Sequence, residues 1–270
     1  MSIISKPTAI RPTADPHAPN WELGWRYETV THPDGTTEEV RVALTLDEAL
    51  HPEEGYVMPV RSSHARITND LVDMLRAYFA QEPGIAIFDD LVFVWDHSEV
   101  RNYAPDVAVV PNVRDPVADR GRFVVAEEGT GPRLIIEVVS PATRTGDRVD
   151  KVRDYPLVGV QEYVYIDQWQ RKGQTVWEVV GYRLVGDHYL PLVPDEDGAL
   201  YLETVNLRIG MEEGQVWLED ANTGQDLMTS LEAHRALQGE IAARQAAEAH
   251  AAALEAELAE LRRQLGQSNA

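Results

Sequence analysis

The order of apolar and polar positions predicts a chain of mixed strands and helices. Alternating residues at 25–31 and 37–44 flank His32-Pro33-Asp34-Gly35, a hairpin signal. Leu46, Asp47 and Glu48 open a short helix that Pro52-Glu53-Glu54-Gly55 ends. Ile67, Leu71, Met74, Leu75, Tyr78 and Phe79 then recur at helical spacing. That helix is capped by Ser62 or Ser63 and stopped by Glu82-Pro83-Gly84. Apolar, β-branched runs predict strands at 85–95, 106–110, 133–139 and 162–167, with a helix at about 147–157 before the last of them. Four alternating runs follow at 175–184, 188–193, 199–203 and 206–209, a strand meander continuous with the central sheet or packed beside it. A proline-free tail from 227 to 265 reads as one helix, about 58 Å long at 1.5 Å per residue.

Two carboxylates interrupt this pattern. Asp106 follows Pro105 at the head of an apolar strand, where burial is costly unless a cation receives the charge. Taken alone, an aspartate at a strand start is more often a turn or cap residue than a functional one. Glu137 lies inside Leu134-Ile135-Ile136-Glu137-Val138-Val139, so alternation sets it on one face with Ile135 and Val139. A glutamate in such a run is buried or half-buried and needs a partner or a metal. Asp147, Lys151 and Tyr155 recur at i, i+4, i+8 on one helical face. They are either an ion pair over a packed tyrosine or a lysine that reaches back toward Glu137.

Composition bears on the chemistry that these residues can perform. There is no cysteine, which excludes a disulfide framework and thiolate-held metals. With 45 acidic against 24 basic side chains the formal net charge is −21, and the chain stays acidic with the tail set aside. A nucleic-acid contact then needs a local basic patch, a partner or metal ions that neutralise carboxylates. The one basic cluster near the candidate site is Arg144, Arg148, Lys151 and Arg153. Arg144 and Arg148 are the candidate phosphate-binding side chains, although Asp147, Asp150 and Asp154 are interleaved with them.

The motifs Tyr103-Ala104-Pro105-Asp106-Val107-Ala108-Val109-Val110, Leu134 to Arg144, Asp147 with Lys151 and Tyr155, and Val160 to Asp167 together resemble the PD-(D/E)XK nuclease superfamily, and more closely its Uma2 restriction-endonuclease family. The resemblance covers about residues 40 to 220 and implies a restriction-endonuclease-like core, a mixed central sheet flanked by helices. It implies Mg²⁺, with Mn²⁺ as the alternative, held by Asp106, Glu137 and the Val138 backbone carbonyl. The chain departs from the superfamily pattern at 139, where valine replaces the usual lysine; Lys151 is the replacement on the flanking helix. Ser63-His64 is similar to that family's serine–histidine segment, and His64 and Tyr155 are accessory candidates.

The expected organisation is a disordered arm over residues 1–20, a nuclease domain over 21–225 and a helical tail over 226–270. Leu254, Leu258, Leu261 and Leu265 form a short coiled-coil seam, so the tail reads either as a solvated helical extension or as a weak dimerisation helix, with a homodimer through the tail or the core as an expectation. No stretch approaches the roughly 18 apolar residues of a membrane span, so the chain reads as soluble and cytoplasmic. The expected function is Mg²⁺-dependent hydrolysis of phosphodiester bonds in DNA. The alternatives are an RNA or branched-DNA substrate, and a catalytically weak binding or assembly module.

Overall fold

The structure is a computed structural model that describes residues 17–50, 56–57, 62–140, 144–171 and 174–268. The hairpin forms as strands β1 (Trp25–Thr31) and β2 (Thr37–Ala43), paired antiparallel, with Gly35 at φ +85° in the turn, where a left-handed backbone favours glycine. Helix α1 (Leu46–Leu50) follows, and then α2 (Ser62–Tyr78), whose buried stripe is Ile67, Leu71, Val72, Met74 and Leu75. The expected disordered arm lies mostly outside the described residues.

The apolar run at 85–95 does not form one strand. It breaks into β3 (Ala86–Phe88) and β4 (Val92–Val94). Asp90 adopts φ +49° between them and its N–H donates to the Pro105 carbonyl, so the chain turns there. Next come β5 (Val107–Val110), β6 (Arg122–Val124), the one-turn helix α3 (Val125–Glu128) and β7 (Leu134–Val138). A helical stretch then passes through a π turn at Gly146–Asp150, helix α4 (Lys151–Asp154) and a 3₁₀ turn at Tyr155–Val158. Strands β8 (Glu162–Arg171), β9 (Gln174–Val185) and β10 (His188–Pro191) complete the central sheet.

That sheet is mixed, in the order β10-β9-β8-β7-β5-β3, and only β7 and β8 run parallel. The meander therefore divides. β9 and β10 extend the central sheet, whereas β11 (Leu200–Leu202), β12 (Leu207–Glu212), β13 (Gln215–Asp220) and β14 (Gln225–Asp226) form a second sheet. β4 and β6 pair apart from both.

Strand alternation sorts β7 between two cores. Leu134, Ile136 and Val138 face α2 and the second sheet. Ile135 and Val139 face an aromatic layer that includes Phe93, Trp95, Phe123, Tyr155 and Tyr163. Glu137 shares that second face by the period of two, and its burial follows from being inside the sheet.

Helix α5 (Ser230–Ser268) closes the chain. Thr229 and Glu232 form a reciprocal capping box, with the Thr229 N–H to Glu232 Oε2 at 2.8 Å and the Glu232 N–H to Thr229 Oγ1 at 3.3 Å. Ser230 Oγ donates to Asp73 Oδ1 of α2 at 2.6 Å, which ties the start of the helix to the body. Beyond this anchor Leu231, Leu237, Ile241, Leu254 and Leu258 are exposed. No helix among the described residues is long and apolar enough to cross a membrane.

Candidate functional site

The antiparallel pairing of β5 with β7 sets the start of one strand against the end of the other, with Val107 opposite Ile136. Asp106 and Glu137 thus meet although 31 positions separate them. The link is reciprocal. Asp106 Oδ2 accepts the Val138 N–H at 2.7 Å, and Glu137 Oε2 accepts the Asp106 N–H at 3.3 Å. The Asp106 side chain keeps 22% exposure and the Glu137 side chain 4%, so one carboxylate faces solvent and the other lies beneath it.

The helical stretch after β7 delivers the third group. Lys151 Nζ lies 2.7 Å from Glu137 Oε1 and 2.7 Å from Asp147 Oδ1. Asp147 stands in the π turn, one helical step before Lys151 on the same face, and is buried. Of the two readings of this segment, ion pair or reach toward Glu137, the structure contains both at once. Tyr155, a further turn along, donates its hydroxyl to Glu137 Oε1 at 3.2 Å.

Position 139, where the superfamily pattern has lysine, is a buried valine packed with Ile135 and Tyr163. The ammonium therefore enters from the helical stretch rather than from the strand.

Charge in this pocket is unbalanced. Glu137 and Asp147 share the one ammonium, and Asp106 stands beside Glu137 with His64 on its outer oxygen. Burial pushes the Glu137 carboxyl up to about 8; Lys151 opposes this, and Asp106 and Asp147 add to it. Burial alone would lower the Lys151 ammonium, but Asp147 and Glu137 outweigh it and hold it above its ordinary value. Burial and the neighbouring carboxylates also raise the Tyr155 hydroxyl well above its usual range.

His64, in the first turn of α2, brings Nε2 to 3.2 Å from Asp106 Oδ2. Burial would lower its imidazolium, yet the Asp106 contact outweighs that and raises it. Its Nδ1 is buried and makes no hydrogen bond among the described residues. Burial and the facing Asp106 carboxylate likewise raise the Asp90 carboxyl, which places Asp90 at the rim of the site. No sequence signal marks Asp90, because its position depends on the break between β3 and β4.

The basic cluster, interleaved in the sequence with three aspartates, is held by further acidic and carbonyl partners in three dimensions. Arg144 Nη2 donates to Asp167 Oδ1 at 2.7 Å and to the Gln168 carbonyl at 2.6 Å, and Arg148 Nη1 donates to Asp167 Oδ2 at 3.2 Å. Asp167 is fully buried midway along β8, and it anchors both arginines while offsetting one of their two charges. Arg153 is turned onto Asp154, at 2.7 Å. Within that cluster Arg144 and Arg148 set two cations against the buried Asp167, with the Glu178 carboxylate also acting on Arg148.

The model of the Uma2 family, described as "Putative restriction endonuclease", matches residues 37–212. The chain belongs to this family. The Uma2 match spans the hairpin strand β2 through β12 and so contains every side chain of the pocket. Among solved structures, the chain is similar to a crystal structure of a "putative nuclease belonging to DUF820" from Anabaena variabilis. The identity is 18%, over 60% of this chain and 90% of that one, at a TM-score of 0.41, too loose for anything to be carried across. No curated protein matches the chain.

Proposed function

We propose that this Uma2 protein is a divalent-metal-dependent endonuclease that hydrolyses phosphodiester bonds, with DNA as its substrate. The observation that supports this reading is the meeting of Asp106 and Glu137 across β5 and β7 with the Lys151 ammonium on Glu137. The pocket suits a hard cation: its donors are carboxylate oxygens, two of them on the buried Glu137 and Asp147 and the third on the half-buried Asp106, beside one ammonium. Among the described residues no three His, Asp or Glu side chains form a preformed cation cage. Mg²⁺, with Mn²⁺ as the alternative, would accordingly rest on Asp106, Glu137 and the Val138 carbonyl, and keep water and phosphate oxygens as its other ligands. Bound there, it would supply a water acidified for attack and charge stabilisation at the scissile phosphate.

The chain's own residues divide the remaining work. Lys151, held protonated by Asp147, donates from Nζ toward attacking water or phosphoryl oxygen and stabilises the developing negative charge. Its raised affinity for the proton favours this role over removing a proton from water. Tyr155 fixes Glu137 through Oε1, and His64 fixes Asp106 through Oδ2. Arg144 and Arg148, preset by Asp167, are the phosphate contacts at the mouth.

Incubation of the protein with supercoiled plasmid and Mg²⁺ or Mn²⁺ tests the reading. Nicked and linear products are expected, and Asp106→Asn is expected to slow their formation by about 10²-fold or more, the scale of losing several kcal/mol of charge stabilisation. Equal cleavage by both proteins, or by neither with either metal, overturns it.

The exposed leucines of α5 favour a second role for the tail, self-association of two copies. Light scattering should show a dimer that becomes a monomer when residues 227–270 are removed; an unchanged mass removes the tail from assembly.

A further inference from the structure

We propose that Tyr103 is a positioning residue of the site, its ring holding the Lys151 ammonium in place between Glu137 and Asp147. The kinetic part of this rests on the endonuclease reading above; the geometric part does not. An ammonium has three N–H donors. Two of its neighbours are the Glu137 and Asp147 oxygens, each at 2.7 Å. The next is the face of Tyr103, whose ring centroid lies 5.6 Å from Nζ. An aromatic face attracts the cation through its quadrupole, and more strongly where water is excluded, as around this lysine. Unlike a third carboxylate, it leaves the remaining N–H available to a phosphate oxygen.

The ring is itself held on several sides. The Tyr103 hydroxyl donates to Asp154 Oδ2 at 2.5 Å, and Asp154 is buried three residues after Lys151 on the same helical turn. Tyr155 packs edge-on against it at 5.4 Å between centroids. The Tyr103 carbonyl accepts the Phe93 N–H at 2.8 Å. One short helical segment thus supplies Lys151, the anchor of the ring that faces it (Asp154) and the ring's aromatic neighbour (Tyr155). Tyr103 in turn lies three residues before Asp106, so the segment that carries the Asp106 carboxylate also registers the lysine.

The chain has three lysines, Lys6, Lys151 and Lys172, so ¹³C-lysine labelling yields a spectrum simple enough to read. The signal lost in Lys151→Arg identifies Lys151. In the wild-type protein its ε-protons should lie upfield and show an Overhauser contact to a tyrosine ring. Tyr103→Phe should keep both features, and Tyr103→Leu should lose both. In plasmid cleavage Tyr103→Leu should lower kcat about tenfold with KM within about twofold, while Tyr103→Phe stays within about twofold of wild type. Should Tyr103→Leu fail to fold, Tyr103→Met takes its place, and the wild-type Overhauser contact needs no variant.

Absence of that contact, an unmoved Lys151 signal in a folded ring-free variant, or equal losses in Phe and Leu variants would overturn the proposal. If the wild-type protein cleaves nothing, the endonuclease reading fails by itself and the lysine spectra still decide the role of Tyr103.

Discussion

Lys151→Met is expected to destabilise the protein by about 3–5 kcal/mol at pH 8, the scale of removing one partner from a buried ion pair. Methionine replaces the aliphatic stem of the lysine and stops one atom short of Nζ, so the loss is chiefly that of the charge. The ammonium lies 2.7 Å from Glu137 and from Asp147 and keeps only 11% side-chain exposure. Without it, Glu137 and Asp147 stay buried beside Asp106 with no ammonium on either of them. Glu137, already raised by burial, can then recover only by retaining its proton, so its folded-state pKa rises further above the unfolded one. Stability of that kind is present at low pH and is lost as pH rises through the folded value. The deficit should accordingly shrink as pH falls toward 5 and be widest above 8. Added Mg²⁺ should return part of it by binding the folded form. Urea denaturation at the two pH values measures this, and a variant as stable as wild type at pH 8 refutes the account of the pocket.

Glu137→Gln should have the opposite profile, a large loss of activity with little loss of stability. Cleavage is expected to fall by about 10³-fold, because one of two carboxylates proposed to hold the cation is gone and several kcal/mol of charge stabilisation go with it. The amide keeps the shape and can still accept hydrogen bonds from Lys151 and Tyr155. In the wild-type protein the Glu137 carboxyl is pushed up to about 8 by burial, above its ordinary 4.5. Its contribution to stability is therefore complete below pH 4.5 and is lost as pH rises through 8. That component of the slope should vanish in the variant, which gains on wild type as pH increases. Denaturation curves from pH 4.5 to 9, read beside plasmid cleavage, test both halves. Retained cleavage would remove Glu137 from the chemistry, and an unchanged slope would show that the carboxyl is not the group that titrates.

Much of the fold was legible because it depends on local pattern. The helical face from Ile67 to Phe79, the hairpin around Asp34-Gly35 and the alternation through Glu137 are read directly from neighbours in the chain. The run at 85–95 reads as one strand because its apolar, β-branched pattern is compatible with extended structure, whereas it forms two. Its division depends on the Asp90 N–H reaching the Pro105 carbonyl, a partner outside the run. Likewise, the four basic side chains at 144–153 suggest a phosphate track weakened by the aspartates interleaved with them. Whether each charge is spent depends on acidic partners such as Asp167, which arrives from β8.

The sequence by itself determined which elements form and which face of β7 carries Glu137, since periods of 2 and 3.6 are properties of the backbone. It also determined family membership, because the Uma2 motifs are strings of residues at fixed spacing. Only the tertiary structure decided that β5 runs antiparallel to β7, which brings Asp106 onto Val138 and Glu137. It alone decided that Lys151 serves two carboxylates at once and faces Tyr103. Strand pairing and burial arise from contacts between residues distant in the chain. The balance of three carboxylates against one ammonium is a sum over such contacts, and no local pattern contains it.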